Sequence, residues 1–452
     1  MAVVAIDNDI KNPDTFEVTW DMGLRCNFDC TYCPAHRHNN TSPHASLETL
    51  IKTSKFVFDY KKLIQSYLTV DRRWNIGFTG GEPTNNPNFL DMCEYIHAQN
   101  DPNVLVDVTT NGAFSQKYCE KLIETVDSIT ISYHCEAKDK VKQSCIDRIY
   151  QIHSAGMQYK VNLMIHAKQE YFDECMTLVD RFTRDNIRFV PRIIGESYED
   201  SKYSHRYTKE QHAWFKTYWA NKNKNVNKPD DNKDAEYEYK DDQNKANAKR
   251  IEEKPKEKSV SQLLQEGFKK EQQEQEQPKK QEPKKEEPKK EEPKKEQKVN
   301  TRKELGRPCC GQRTFYTLDE SKYNKDDVKL DTDDWKPSIF ACSTEYKNWS
   351  CMINWNWLHI EQEYDNILHH QTCRANFGGE RGPIGKISQS EKILERLKRQ
   401  LATGTMPVIT CPNKLCGCGL CVPKAKHHNI TEAMFKKSVK GLTPIIGGTM
   451  DV

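Results

Sequence analysis

The chain of 452 residues is long enough for two or three domains at about 150 residues each. Its 69 basic and 66 acidic residues nearly cancel to a net charge of +3, so the balance indicates neither nucleic acid nor an anionic membrane as a partner. Seventeen cysteines in a chain of this size, with no sign of secretion, read as thiols and metal ligands and not as a disulfide framework.

The first stretch, "MAVVAIDNDIKNPD", has no charged n-region and only a short apolar run, and no apolar stretch of roughly 18 residues follows anywhere. A soluble, cytoplasmic protein with no membrane partner is expected. From Thr15 to Tyr203 short β-rich runs alternate with helical ones. The strands are predicted at Thr15 to Met22, Trp74 to Gly80, Asn103 to Thr110, Asp127 to His134, Gln158 to His166 and Ile187 to Gly195. Leu47 to Tyr67 and Lys138 to Ala155 carry helical apolar spacing between them. Regular βα succession predicts an α/β fold with a parallel sheet, curled or doubly wound, whose ligands sit at the C-terminal strand ends.

The loop after the first strand reads "LRCNFDCTYCPAHR", Leu24 to Arg37. Cys26, Cys30 and Cys33 form CxxxCxxC, and the next cysteine is Cys93. A closed zinc site takes four protein ligands, so three thiols on one loop leave either a distant fourth ligand or an open metal position. The second strand ends in "FTGGEPTNNP", Phe78 to Pro87. There Gly80 and Gly81 allow close backbone approach, and Glu82 is an acceptor for a charged donor. The alternative is a glycine turn capping a helix that begins near Asn86. The third strand ends in "TTNG", Thr109 to Gly112, also a common turn signal, and the fourth in "SITISYHCE". Cys93, Cys119, Cys135, Cys145 and Cys175 fall on predicted core elements, where small buried hydrophobes are expected.

CxxxCxxC with Tyr32 just before its last cysteine, followed by GGEP, TTNG and SYH on successive strand ends, resembles the radical SAM superfamily across this first ordered region. The resemblance implies a partial six-unit (β/α) barrel. It implies a 4Fe-4S cluster on Cys26, Cys30 and Cys33, with the fourth iron chelated by the amino and carboxylate groups of S-adenosylmethionine. It places Gly80, Gly81 and Glu82 at the methionine ammonium, and Asn111 near the cluster edge. Ser132 or His134 falls near the ribose, Tyr32 joins the cofactor-binding set, and Arg192 faces the cosubstrate carboxylate or the solvent. The implied reaction is reductive cleavage of the sulfonium to a 5′-deoxyadenosyl radical that abstracts a substrate hydrogen, with a flavodoxin or ferredoxin as electron donor.

A different composition takes over at 221–300, ending in "QPKKQEPKKEEPKKEEPKKEQK". Such a segment lacks the apolar surface to offset its chain entropy, so a disordered Lys/Glu/Pro-rich linker is expected between a core at 1–220 and a cysteine-rich domain at 301–452. Ser259 to Lys270 reads as a transient helix or a short docking motif. The last region holds Cys309, Cys310, Cys342, Cys351, Cys373, Cys411, Cys416, Cys418 and Cys421. It reads as a small domain of few strands, stapled by metal over a thin core. "CPNKLCGCGLCVPKA" has the spacing CxxxxCxCxxC, and Cys351 to Cys373 looks like a hairpin flanked by thiols, with His369 and His370 exposed on it. This region resembles the SPASM and twitch extensions of radical SAM enzymes. The resemblance implies one or two auxiliary iron-sulfur clusters on Cys351, Cys373, Cys411, Cys416, Cys418 and Cys421, with a peptide or protein as substrate. Zinc on four thiolates is the alternative, and with it a metal-stabilised interaction scaffold without radical activity.

Overall fold

A computed structural model describes residues 2–8, 15–33, 38–66, 68, 71–194, 207–226, 313–318, 336–337, 346–370, 373, 375–402, 408–413 and 424–426. The charged insert lies outside the described residues, as do Ser259 to Lys270 and Cys416, Cys418 and Cys421. Nine strands form the main sheet. Six are the expected ones, slightly shortened: β2 (Thr15–Asp21), β3 (Arg73–Thr79), β4 (Val104–Thr110), β5 (Ser128–His134), β6 (Gln158–Ile165) and β7 (Phe189–Ile193). They lie in chain order, and each pairs in parallel with the next. Helices α1 (Leu47–Ser66), α2 (Phe89–His97), α3 (Gln116–Thr125), α4 (Asp139–Ser154) and α5 (Gln169–Arg184) connect them, and α6 (Lys209–Val226) follows β7. This is the α/β alternation of a partial (β/α) barrel.

The periodicity that marks these elements is the one that packs them. In α5 the buried residues Phe172, Cys175, Leu178 and Phe182 fall on one stripe. In β2 and β3 burial alternates strictly, with Phe16, Val18 and Trp20 beside Trp74, Ile76 and Phe78 on the helix-covered face. Phe16 and Trp74 stack with ring centroids 3.9 Å apart. Cys93, Cys119, Cys135, Cys145 and Cys175 are all buried in this core, and Ser115 caps α3 by accepting from the Tyr118 N–H at 3.2 Å. The helix that the capping alternative places near Asn86 is α2, three residues later. Pro83–Asn85 forms a single 3-10 turn with Glu82 as its N-cap, and α2 starts at Phe89.

The far side of β2 is occupied by a segment from the other end of the chain. Strand β11 (Trp357–Glu361) runs parallel to β2, with Trp357 opposite Glu17 and Glu361 opposite Asp21. Strands β12 (Asn366–Leu368) and β13 (Gly385–Lys386) then extend the sheet antiparallel. The expected hairpin is therefore present, but its core is not thin, because Met352, Ile353, Trp355, Leu358, Ile360 and Ile367 join the same apolar cluster as the βα units. Helix α7 (Ser390–Ala402) adds Ile393, Leu397 and Leu401. Arg72 fastens this junction: its guanidinium donates to the Trp355 carbonyl, to Thr15 O at 2.9 Å and to Asn356 Oδ1 at 3.0 Å. His369 is fully buried, contrary to the exposed position expected of it, because its ring packs edge-on against Phe377.

A second sheet has the order β14-β10-β15-β1-β8-β9. Its members are β1 (Ala2–Asn8), β8 (Arg313–Leu318), β9 (Lys336–Pro337), β10 (Ser350–Cys351), β14 (Ile409–Thr410) and β15 (Lys424–Ala425). The short apolar run that opens the chain is thus a strand, paired antiparallel with β8 and β15.

Candidate active site at the strand ends

The cysteine loop leaves β2 at its C-terminal end and is held there by backbone on both sides. The Cys26 N–H donates to Asn39 O at 2.7 Å, and Asn39 N–H returns a bond to Leu24 O at 2.8 Å. On the other side Gly81 N–H donates to Gly23 O at 2.7 Å and Glu82 N–H to Arg25 O at 2.9 Å. These contacts explain both glycines. Gly80 has φ +118°, and a Cβ there would lie 2.5 Å from Asp21 Oδ1. A Cβ on Gly81 would overlap the Arg25 carbonyl and come within 2.6 Å of Leu24 O. The close approach anticipated at this glycine pair is made by the backbone of the cysteine loop itself.

Glu82 is buried and gathers four donors. Its Oε1 accepts from Thr84 N at 3.1 Å, Thr84 Oγ1 at 2.5 Å and Thr110 Oγ1 at 2.7 Å, and its Oε2 accepts from Asn111 N at 2.7 Å. Burial pushes this carboxyl above the usual carboxylate range, and the donors pull it back toward ionisation. Asn111 completes the link to the loop: its Nδ2 donates to Asn27 Oδ1 at 2.7 Å, and its Oδ1 accepts from Ala113 N at 3.0 Å. The ends of β3 and β4 therefore meet the loop through Glu82 and Asn111.

The end of β5 meets the other half of the loop. His134 Nδ1 lies 3.5 Å from Cys30 Sγ and is hydrogen-bonded to the Tyr32 hydroxyl. The Tyr32 and His134 rings stack at 5.9 Å, and Phe28 packs edge-on at 5.5 Å. Burial lowers the His134 pKa to about 4, so the imidazole is neutral near pH 7. Two residues on, the Glu136 carboxylate accepts from Thr31 N at 2.8 Å and Thr31 Oγ1 at 2.6 Å. Glu136, Thr84 and Thr110 are absent from the residues that the sequence motifs single out, although each stands in or beside one of those motifs. Ser132 is half-buried on the same strand face as His134 and, among the described residues, makes no side-chain hydrogen bond. Arg192 is exposed and donates from Nε to Asn162 Oδ1 at 3.2 Å.

Cys30 is buried, and Cys26 and Cys33 are half-buried. Burial pushes the Cys30 thiol up to about 12; the Tyr32 hydrogen bond opposes this, while Glu136, Cys26 and Cys33 add to it. Cys26 is raised as well, again chiefly by burial. Neutral thiols packed in an electron-rich pocket are what a cationic metal centre reverses when it binds. Three soft donors on one loop suit an iron-sulfur cluster with one iron left open. Among the described residues no three Cys, His or carboxylate side chains converge as a ready single-ion site.

Residues 20–154 match the family model of the Radical SAM superfamily. The chain carries a radical SAM domain. The superfamily implies a 4Fe-4S cluster and S-adenosylmethionine, and the match spans the cysteine loop, the Gly80–Glu82 turn and the ends of β4 and β5. The uncharacterized protein MJ0907 of Methanocaldococcus jannaschii is 26% identical over 179 residues, 36% of this chain and 58% of that protein. Among solved structures, native anSMEcpe with bound AdoMet is 14% identical with a TM-score of 0.33, covering 45% of this chain and 61% of its own. Streptococcus suis SuiB bound to precursor peptide SuiA is 14% identical with a TM-score of 0.35, covering 47% and 49%. The chain thus spans between about half and three-fifths of the length of these proteins.

Beyond the radical SAM domain, Cys351 lies buried in β10 opposite Ile409 of β14. Cys411 exchanges backbone bonds with Asn348 and Trp349 at 2.8 Å, which continues that antiparallel register. Cys351 and Cys411 therefore share one face of the ladder on a diagonal. Cys373 is half-buried, and its N–H donates to His370 O at 3.0 Å. Among the described residues no helix is long and apolar enough to cross a membrane.

Proposed function

We propose that the chain is a radical SAM enzyme acting on a peptide or protein. The carrying observation is the cysteine loop, docked by backbone onto Gly81 and Glu82 and by side chains onto the ends of β4 and β5. Cys26, Cys30 and Cys33 hold the 4Fe-4S cluster. When bound, the cluster and S-adenosylmethionine supply reductive cleavage of the sulfonium and a 5′-deoxyadenosyl radical for hydrogen abstraction. Glu82 would hold the methionine ammonium, with Oε2 taking one protein donor where Oε1 takes three. Thr84 and Thr110 keep that carboxylate oriented. Tyr32, Phe28 and His134 wall the Cys30 side with apolar ring surface that excludes water. Electrons enter from a flavodoxin or ferredoxin.

The C-terminal cysteines hold one or two auxiliary iron-sulfur clusters, with Cys351, Cys373, Cys411, Cys416, Cys418 and Cys421 as the ligands. The peptide class follows from this cysteine-bearing extension, by analogy. The test is anaerobic reconstitution followed by iron, sulfide and zinc assays, then reduction with S-adenosylmethionine present. Formation of 5′-deoxyadenosine that disappears in Cys30→Ala is the expected result. Full cleavage by Cys30→Ala refutes the loop assignment, and stoichiometric zinc with no iron favours the scaffold reading.

A further inference from the structure

Thr31 sits inside the ligand turn, between Cys30 and Tyr32, and the turn is closed by Cys33 N–H donating to Cys30 O at 3.0 Å. Both polar groups of Thr31 are taken by one carboxylate, that of Glu136, which reaches them from just past the end of β5. Glu136 is itself backed from β6. His166 Nε2 lies 3.5 Å from Glu136 Oε1, and His166 Nδ1 accepts the Lys168 N–H at 2.9 Å. With Nδ1 occupied as an acceptor, the proton of the neutral ring is on Nε2 and faces Glu136. A chain of contacts thus runs from the end of β6 through His166 and Glu136 to the middle of CxxxCxxC. His166 and Glu136 are largely shielded, at 9% and 14% exposure, while Thr31 at the end of this chain of contacts is exposed.

We propose that Glu136 is a positioning residue for the cluster: it clamps the Cys30–Cys33 turn against the sheet and keeps a fixed negative charge beside the thiolates. The proposal rests on the cluster assignment above and adds two separable effects. The clamp is geometric, because a carboxylate accepting from a backbone N–H and a hydroxyl of one residue leaves that turn little freedom. Partners one layer outside the ligands set ligand orientation and affinity in this way. The charge is electrostatic: an anion near the cluster disfavours adding an electron and so lowers the reduction potential.

Full-length wild type, Glu136→Ala and Glu136→Gln separate the two effects. Glu136→Ala removes clamp and charge, and iron loss to a chelator should be about ten- to hundredfold faster, the range found for outer-layer partners. Glu136→Gln removes the charge but keeps one acceptor, for the Thr31 N–H, and an amide NH2 that the Thr31 hydroxyl can accept; iron loss should fall between wild type and Glu136→Ala while the EPR-monitored midpoint potential rises. Unchanged retention in Glu136→Ala overturns the clamp, and an unchanged potential in Glu136→Gln overturns the charge effect. Wild type that takes up no iron overturns the cluster assignment instead. The clamp is then decided by hydrogen exchange of residues 26–33 in the cluster-free chain, which rises in Glu136→Ala if the clamp exists and refutes it if unchanged.

Discussion

The two sides of strand β2 are built by different means. Toward β3 the neighbours come in chain order, each strand delivered by a helix that packs its own stripe onto the sheet. Toward β11 the neighbour arrives from more than 300 residues away, and its pairing with Glu17 to Asp21 depends on buried polar joints. Arg72 bonds to carbonyls of both partners, Trp357 Nε1 donates to Thr19 Oγ1 at 3.1 Å, and Gln362 Oε1 accepts from Trp20 Nε1 at 3.1 Å. The first side tolerates local change because each unit carries its own apolar face. The second concentrates its specificity in a few directional bonds, and the cysteine loop rises from the strand the two sides share.

The largest effect is expected where the loop meets the first side. Gly81→Ala puts a methyl into the backbone of Leu24 and Arg25, neither of which can yield as a side chain would. The loop must move, and iron binding at Cys26, Cys30 and Cys33 should be lost while circular dichroism stays near wild type. Normal iron content in Gly81→Ala would show that the docking of the loop on Gly81 is dispensable.

The second side breaks at Arg72. Arg72→Leu strands the carbonyls of Thr15 and Trp355 and removes a buried cation's hydrogen bonds, at a cost of about 3 kcal/mol or more. Urea unfolding should show this loss, and proteolysis should open the segment around Trp357 before the βα units. Equal protection of both regions in the variant argues that β11 does not depend on this joint.

Glu82→Gln sharpens the comparison within the loop's own support. It replaces charge-assisted bonds worth about 1.5 to 3 kcal/mol, so S-adenosylmethionine affinity should fall roughly tenfold to a hundredfold, with the cluster retained. Equilibrium dialysis of the reconstituted protein measures it, and unchanged affinity removes Glu82 from the ammonium site.

An effect absent at neutral pH is a pH dependence on the second side. Burial depresses the His369 pKa from 6.5 to about 3, and among the described residues neither ring nitrogen has a hydrogen-bond partner. Between pH 6.5 and 3 the unfolded chain therefore binds a proton that the folded chain refuses. Stability contributed by keeping this ring neutral is present above 6.5 and is lost as the pH falls, by at most about 1.4 kcal/mol per pH unit. His369→Leu should flatten the acid limb of the stability curve measured by denaturant titration. An unaltered limb means that another group governs it.

Much of the first side is legible in the amino-acid sequence, and much of the second is not. The six strands from Thr15 to Ile193 and the helices near Leu47 to Tyr67 and Lys138 to Ala155 emerge from local pattern, because each βα unit buries its own stripe within a few tens of residues. CxxxCxxC and GGEP are legible because their spacing is local. Glu136 is not, since a carboxylate two residues past a strand has no periodic mark; only the fold brings it to Thr31. The strand at Ala2–Asn8 escapes a local reading for the same reason, since it needs the distant partner β8.

By itself the sequence determined the alternating α/β order, the six parallel strands and the three thiols on the loop after β2, because local spacing and burial period decide them. Only the tertiary structure decided that Gly80 and Gly81 serve the cysteine loop's own backbone, that Glu82 reaches Thr110 and Asn111, and that β11 completes the sheet beside β2. Those are contacts between residues dozens to hundreds of positions apart. Their partners are selected by which surfaces the packed helices leave uncovered, and no window along the chain contains both halves of such a bond.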